Sequence, residues 1–294
     1  MKRLLTISLA LLMSVSLLAS CSSRDEASSE EVQESREESS SAPGERPSVE
    51  EAALNNEKMP EDDVHLIQLE NPKSGDTIAV LDTSLGEIRI VLYPEQAPKA
   101  VENFSTLAQD SFYNGKVFHY VDAGFMIQSG AVNSNGTGSR SVFTNAGGEQ
   151  EFFETEPSWD LWHFRGAVSL ANTNENLNGS QFIIVKANDI YGHTAEEMEA
   201  AKFPRKVIDQ YKEAGGAPHR DGYSTVFGMV YQGMDVVDAI AEVEVDASGM
   251  PVETVLINSI TIEVLQEDVE LEDASGGESG EASETSREES SAAA

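Results

Sequence analysis

The chain has 294 residues, with 52 acidic against 19 basic side chains, a net charge of −33 and a single cysteine. An excess of that sign repels nucleic acid, and a lone cysteine excludes disulfides and cysteine-built metal centres. The acid is uneven: residues 24–63 hold 14 acidic and 4 basic groups, residues 263–294 hold 11 and 1, and residues 64–262 hold 27 and 12.

In chain order, Lys2 and Arg3 precede an apolar run from Leu4 to Leu18. The run is shorter than the ~20 residues that span a membrane, so residues 1–20 read as an export signal. "LASC" at 18–21 resembles a bacterial lipobox, which implies a lipid on Cys21; the plainer alternative is a cleaved signal with an incidental cysteine. Residues 21–75 then form a Ser/Glu-rich linker, and 267–294 form a tail of the same kind. Neither holds enough large apolar side chains to offset the entropy of ordering, so both are expected to be disordered.

Residues 76–266 are the expected single domain. "TIAVLDTSLGEIRIVLY", 77–93, predicts two strands around a turn at Ser84–Gly86, with Ile88, Ile90 and Leu92 on one face. "APKAVENFSTLAQD", 97–110, predicts a helix: Pro98 suits its first turn, and Val101, Phe104, Leu107 and Ala108 make one stripe. "GAVSLAN" (166–172), "SQFIIVKA" (180–187), "STVFGMVY" (224–231) and "VLINSITIEVL" (255–265) predict strands, and "GMDVVDAIAEV" (233–243) a second helix. Many strands and two strong helices point to a closed or sandwiched antiparallel β structure. "NGTGS" at 135–139 lacks the lysine and following helix of a phosphate loop and reads as a tight turn.

The order of "FHYVDAGFMIQSG" (118–130), "NGTGS", "GAVSLAN", "NGSQFIIV" and "DGYSTVFGMV" resembles the cyclophilin family of peptidyl-prolyl cis–trans isomerases over about residues 77–265. The resemblance implies a mainly β fold: a closed eight-stranded antiparallel β-barrel capped by two helices. It also implies an apolar cleft on one face of that barrel. Residues 189–218 exceed the loop of compact members and are expected to insert two helical pieces separated at Pro204, seated by Met198, Ala201, Val207, Ile208 and Tyr211.

The implied reaction is rotation about an X–Pro amide, whose barrier of about 18–20 kcal/mol comes from C–N resonance. It needs no cofactor. A catalyst must bind the twisted amide better than either planar form. By resemblance, Phe125 and Met126 hold the prolyl ring, Gln128 fixes a flanking carbonyl, and Ala171, Asn172 and Gln181 line the peptide groove. Ile183 stands where the family commonly has phenylalanine, His219 where many members have tryptophan, and Ser224 where many have histidine.

The largest departure is Tyr120, at the position of the family's arginine. That arginine donates toward the prolyl nitrogen, whereas tyrosine offers one neutral hydroxyl. A slow enzyme is expected, or a non-catalytic receptor for proline peptides; Arg140 and Arg165 are the basic residues in nearby motifs. The expected partners are proline-containing extended polypeptides and, through the lipid, the outer face of the bacterial cytoplasmic membrane. Nothing specifies an oligomer, so a monomer is expected.

Overall fold

The computed structural model describes residues 64–172 and 177–270; the export signal, Cys21, most of the linker and most of the acidic tail lie outside the described residues. The strands are β1 (Thr77–Thr83), β2 (Gly86–Leu92), β3 (Tyr120–Asp122), β4 (Met126–Ser129), β5 (Phe153–Glu154), β6 (Ala167–Leu170), β7 (Leu177–Asn178), β8 (Phe182–Val185), β9 (Val226–Gln232) and β10 (Ile257–Val264). The helices are α1 (Pro98–Gln109), α2 (Ala195–Ala200), α3 (Arg205–Ala214) and α4 (Met234–Ala241).

Eight strands form one sheet in the order β10-β1-β2-β9-β6-β8-β4-β3, and β5 pairs with β7 in a separate ribbon. Every pairing in the large sheet is antiparallel. The sheet curls so that the segments before its two edge strands approach. Val117 bridges Leu256, the Phe118 amide donates to the Val255 carbonyl at 3.0 Å, and the Val121 amide to Gly249 at 2.8 Å. The expected eight-stranded antiparallel sheet is therefore present; the contacts between its edges are these single bonds rather than a ladder from β3 to β10.

Alternation explains the two faces. Ile88, Ile90, Ile127, Phe182 and Ile184 point into an inner core, where α1 contributes Phe104 and Leu107 and α4 contributes Val237 and Ile240. Val91, Met126, Ile183 and Val185 point the opposite way into a second cluster, which carries the candidate site. Each large inner side chain is costly to remove, about 3–5 kcal/mol for a phenylalanine such as Phe104. Ala97 gives α1 no side-chain cap. The Glu156 carboxylate takes that role from a distance, accepting from the Lys99 and Ala100 amides at 3.2 and 2.9 Å.

The insertion holds the two expected helices. Thr194 and Glu197 form a capping box on α2, and Pro204 precedes α3. Met198, Ala201, Val207, Ile208 and Tyr211 are buried against Trp162 and Phe164 in a third core. That core also contains Val64, upstream of the boundary expected at residue 76. Gln68 is buried as well: its amide nitrogen donates to the Trp162 carbonyl at 2.9 Å and its amide oxygen accepts from the Trp162 N–H at 2.6 Å. Residues 64–75 thus belong to the packed domain. The segment "VHLIQLENPKSG" carries no strand or helix periodicity; contacts remote in sequence, such as Gln68 with Trp162 and Ser74 with Asp268, hold it.

Candidate active site

Antiparallel register builds the site. Tyr120 on β3 lies opposite Gln128 on β4, Gln128 opposite Ile183 on β8, and Ile183 opposite Ser169 on β6. Cross-strand partners share a face, so these residues form one row across four strands. The neighbouring row runs Asp122, Met126, Val185. Phe125 closes the turn between β3 and β4; its carbonyl accepts from the Lys186 and Ala187 amides at 2.8 and 3.1 Å. The expected Tyr120, Phe125, Met126, Gln128 and Ile183 are thus brought together on the outer face of the sheet.

The polar half is a chain of amides. Gln128 Nε2 donates to Gln181 Oε1 at 2.8 Å, and Gln181 Nε2 donates to the Gly136 and Gly138 carbonyls at 3.2 and 3.0 Å. "NGTGS" is thereby explained: Gly136 and Gly138 have φ of +84° and +78°, and a Cβ on Gly136 would lie 2.6 Å from the His119 ring. The Ala171 amide donates to the Gln181 carbonyl at 2.9 Å, and Asn172 Nδ2 donates to the Tyr223 carbonyl at 2.9 Å. Ala171, Asn172 and Gln181 thus border one another.

The apolar half is covered. Phe125 and Met126 are each 4% exposed, Gln128 4% and Ile183 2%. Tyr191, from the start of the insertion, lies flat on Phe125 with centroids 4.7 Å apart and planes 7° from parallel. His219 tilts against both rings, at 5.2 Å from Phe125 and 5.6 Å from Tyr191. A stack that close leaves no room for a prolyl ring between Phe125 and Tyr191. On that face of Phe125 the expected cleft is covered by a side chain of this protein. Tyr191 was not among the residues singled out, because nothing local ties it to Phe125. Its placement comes from a bridge between Ile190 and Gly216 and from its own amide donating to the Gly216 carbonyl at 2.8 Å.

Electrostatics fix the protonation states. Burial, then the nearby Asp122 carboxylate, push the Tyr120 phenol above its ordinary value, so it stays a neutral donor. Burial pulls His119 down to about 4, so its ring is neutral at physiological pH. The two arginines of nearby motifs are engaged elsewhere: Arg165 donates to the Lys186 carbonyl and the Asp238 carboxylate at 2.5 and 2.7 Å, and Arg140 lies over the Phe112 ring.

Comparison with known proteins follows the same line. Residues 78–262 match the family described as cyclophilin type peptidyl-prolyl cis-trans isomerase/CLD. A Streptococcus pyogenes serotype M6 protein, provisionally named a bifunctional phosphatase/peptidyl-prolyl cis-trans isomerase, is 39% identical over 184 residues. That match covers 62% of this chain but 38% of the longer relative. A Staphylococcus aureus (strain USA300) protein, provisionally named a peptidyl-prolyl cis-trans isomerase, is 36% identical over 191 residues, covering 65% of this chain and 94% of the relative. The crystal structure of a cyclophilin type isomerase from Cryptosporidium parvum shares the fold, with TM-score 0.51 and 24% identity over 64% of this chain and 98% of its own. The same protein in the presence of the dipeptide Ala-Pro gives TM-score 0.50, also at 24% identity, over 63% and 98%. This chain belongs to the cyclophilin-type peptidyl-prolyl cis-trans isomerase family.

Proposed function

We propose that this protein is a slow isomerase of X–Pro bonds in exported polypeptides, held by a lipid on Cys21 at the outer face of the bacterial cytoplasmic membrane. The observation that carries the chemistry is the row Tyr120–Gln128–Ile183 with Phe125 and Met126 beside it. The prolyl ring occupies the apolar side of that row once Tyr191 moves aside. The Gln128 amide fixes the carbonyl that flanks proline, and the Tyr120 hydroxyl donates toward the prolyl nitrogen as its lone pair localises. That last donation favours the twisted amide over both planar forms, which is what lowers the barrier.

A neutral hydrogen bond is roughly half as strong as a charge-assisted one, which is why turnover is expected to be slow. The test is line-broadening or exchange NMR on an Ala-Pro peptide, the dipeptide present with the Cryptosporidium protein. The expected rate is above background, and Tyr120→Arg raises it by about tenfold to a hundredfold, somewhat less than the 10²–10³ that a whole preorganised donor is worth. A wild-type rate indistinguishable from background rejects the isomerase reading. The second reading, a non-catalytic proline-peptide receptor, draws on Tyr120 in the arginine position and the Tyr191 stack. It requires saturable binding of the same peptide with no exchange enhancement.

A further inference from the structure

Beside the covered apolar pocket lies a group of buried polar atoms with no protein partner among the described residues. Arg220 is 5% exposed, Ser224 2% and Asn172 7%. Among the described residues, Arg220 Nε, Ser224 Oγ and Asn172 Oδ1 are all buried and have no hydrogen-bond partner. They belong to one place. The Ser224 amide donates to the Arg220 carbonyl at 3.0 Å, Asn172 Nδ2 donates to the Tyr223 carbonyl at 2.9 Å, and the guanidinium lies 5.8 Å from the Tyr223 ring centroid. Arg220 directly follows His219, which touches Phe125. The group therefore sits between the prolyl pocket on one side and the groove residue Asn172 on the other.

A buried guanidinium without an anion is an expensive arrangement, since buried charges are ordinarily paired. Here the adjacent carboxylate is already spent. Asp221 Oδ1 accepts from the His163 amide at 2.9 Å and sits 2.7 Å from His163 Nδ1, while Oδ2 accepts from the Tyr211 hydroxyl at 2.5 Å. Among the described residues no carboxylate pairs with Arg220. Burial pulls its guanidinium down to about 10, and the Tyr223 side chain opposes that shift.

We propose that Arg220, Ser224 and Asn172 form a carboxylate-accepting subsite, so that the protein prefers proline peptides with Asp or Glu beside the proline. The proposal rests on the reading of this face as a proline-peptide groove. The unmet inventory fits such a residue: Arg220 Nε–H and the Ser224 hydroxyl donate to the two carboxylate oxygens, and Asn172 Oδ1 accepts a peptide N–H. The domain's net negative charge opposes an acidic peptide at long range. Salt near 0.15 M confines that repulsion to about 8 Å, whereas the buried guanidinium acts at contact.

The experiment uses the mature full-length protein and two pairs of labelled peptides. One pair differs by Glu or Gln immediately before proline, the other by Glu or Gln immediately after it. In at least one pair the Glu member binds about tenfold or more tightly, and Arg220→Leu reduces that ratio to about twofold or less. Equal affinity within both pairs, or a ratio that survives Arg220→Leu, overturns the proposal. The Arg220 Nε–H resonance of the unaltered protein gives a readout independent of the variant's folding. It should shift with the Glu member and not with the Gln member, and no shift with either refutes the subsite. Background turnover of Ala-Pro together with a persistent Glu preference removes the isomerase reading and leaves the subsite standing.

Discussion

The Tyr120 ring rests against Gly249, where an added Cβ would come within 2.6 Å of it, so the phenol is fixed by contact with backbone. On the function proposed above, that packing holds the neutral donor in place. Gln128 has a double duty of the same kind. Beside the substrate role proposed above, its amide holds Gln181, and through it the Gly136 and Gly138 carbonyls. Replacing it removes a group for the substrate and leaves buried polar atoms unmet, at about 1–3 kcal/mol. His119 adds a pH dependence. Its folded value of about 4 lies below the ordinary 6.5 because burial opposes the charged ring. Below pH 6.5 the unfolded chain therefore binds a proton that the folded chain refuses, so stability is complete above that pH and falls as the solution is acidified toward 4. His163, lowered by burial too, acts in the same direction. Thermal melts from pH 7 to pH 5 should show a falling midpoint, and His119→Phe, which keeps a ring against Gly136, should flatten that slope. An unchanged slope in the variant would remove His119 as a source of the acid sensitivity.

At the level of elements, the sequence was legible wherever a face is buried continuously. β1, β2 and α1 follow their alternation and their 3.6-residue stripe, and the break of the insertion at Pro204 follows from what proline does to a helix. β3 and β4 were not legible as strands. They are three and four residues long, separated by a turn through Gly124, and burial on both faces of β4 erases the alternation that marks a strand. The resemblance located the side chains of that stretch, while the register that lines up Tyr120, Gln128 and Ile183 is a property of three strands together. The stack of Tyr191 on Phe125 was illegible for a stronger reason, because the backbone of Tyr191 is positioned by Gly216, a residue remote from both in sequence. Its consequence is testable. Opening the pocket requires losing that stack, worth about 0.5–1.5 kcal/mol beyond its buried area, and a hydroxyl contact to Asp122 at 3.4 Å. Tyr191→Ala should therefore tighten Ala-Pro binding by about threefold to tenfold, by removing the cost of displacement. Weaker binding in that variant would make Tyr191 a wall of the pocket rather than its cover.

Taken whole, the molecule separates its chemistry from its charge. The two acidic segments at residues 24–63 and 263–294 together carry 25 acidic and 5 basic groups, while every candidate site residue except Cys21 lies in the folded domain between them. The packed domain begins by Val64, so about 40 residues connect it to Cys21, a span of at most ~140 Å if fully extended. The acidic groups of that connection repel the anionic surface of a bacterial membrane. The connection is a tether only if Cys21 carries the lipid. Mass spectrometry of the mature protein from bacterial membranes should find Cys21 as the first residue with a diacylglycerol attached, and Cys21→Ser should move the protein to the soluble fraction. A mature N-terminus elsewhere, or a bare Cys21 thiol, would leave the acidic segment as a free arm and confine the account to the isomerase domain.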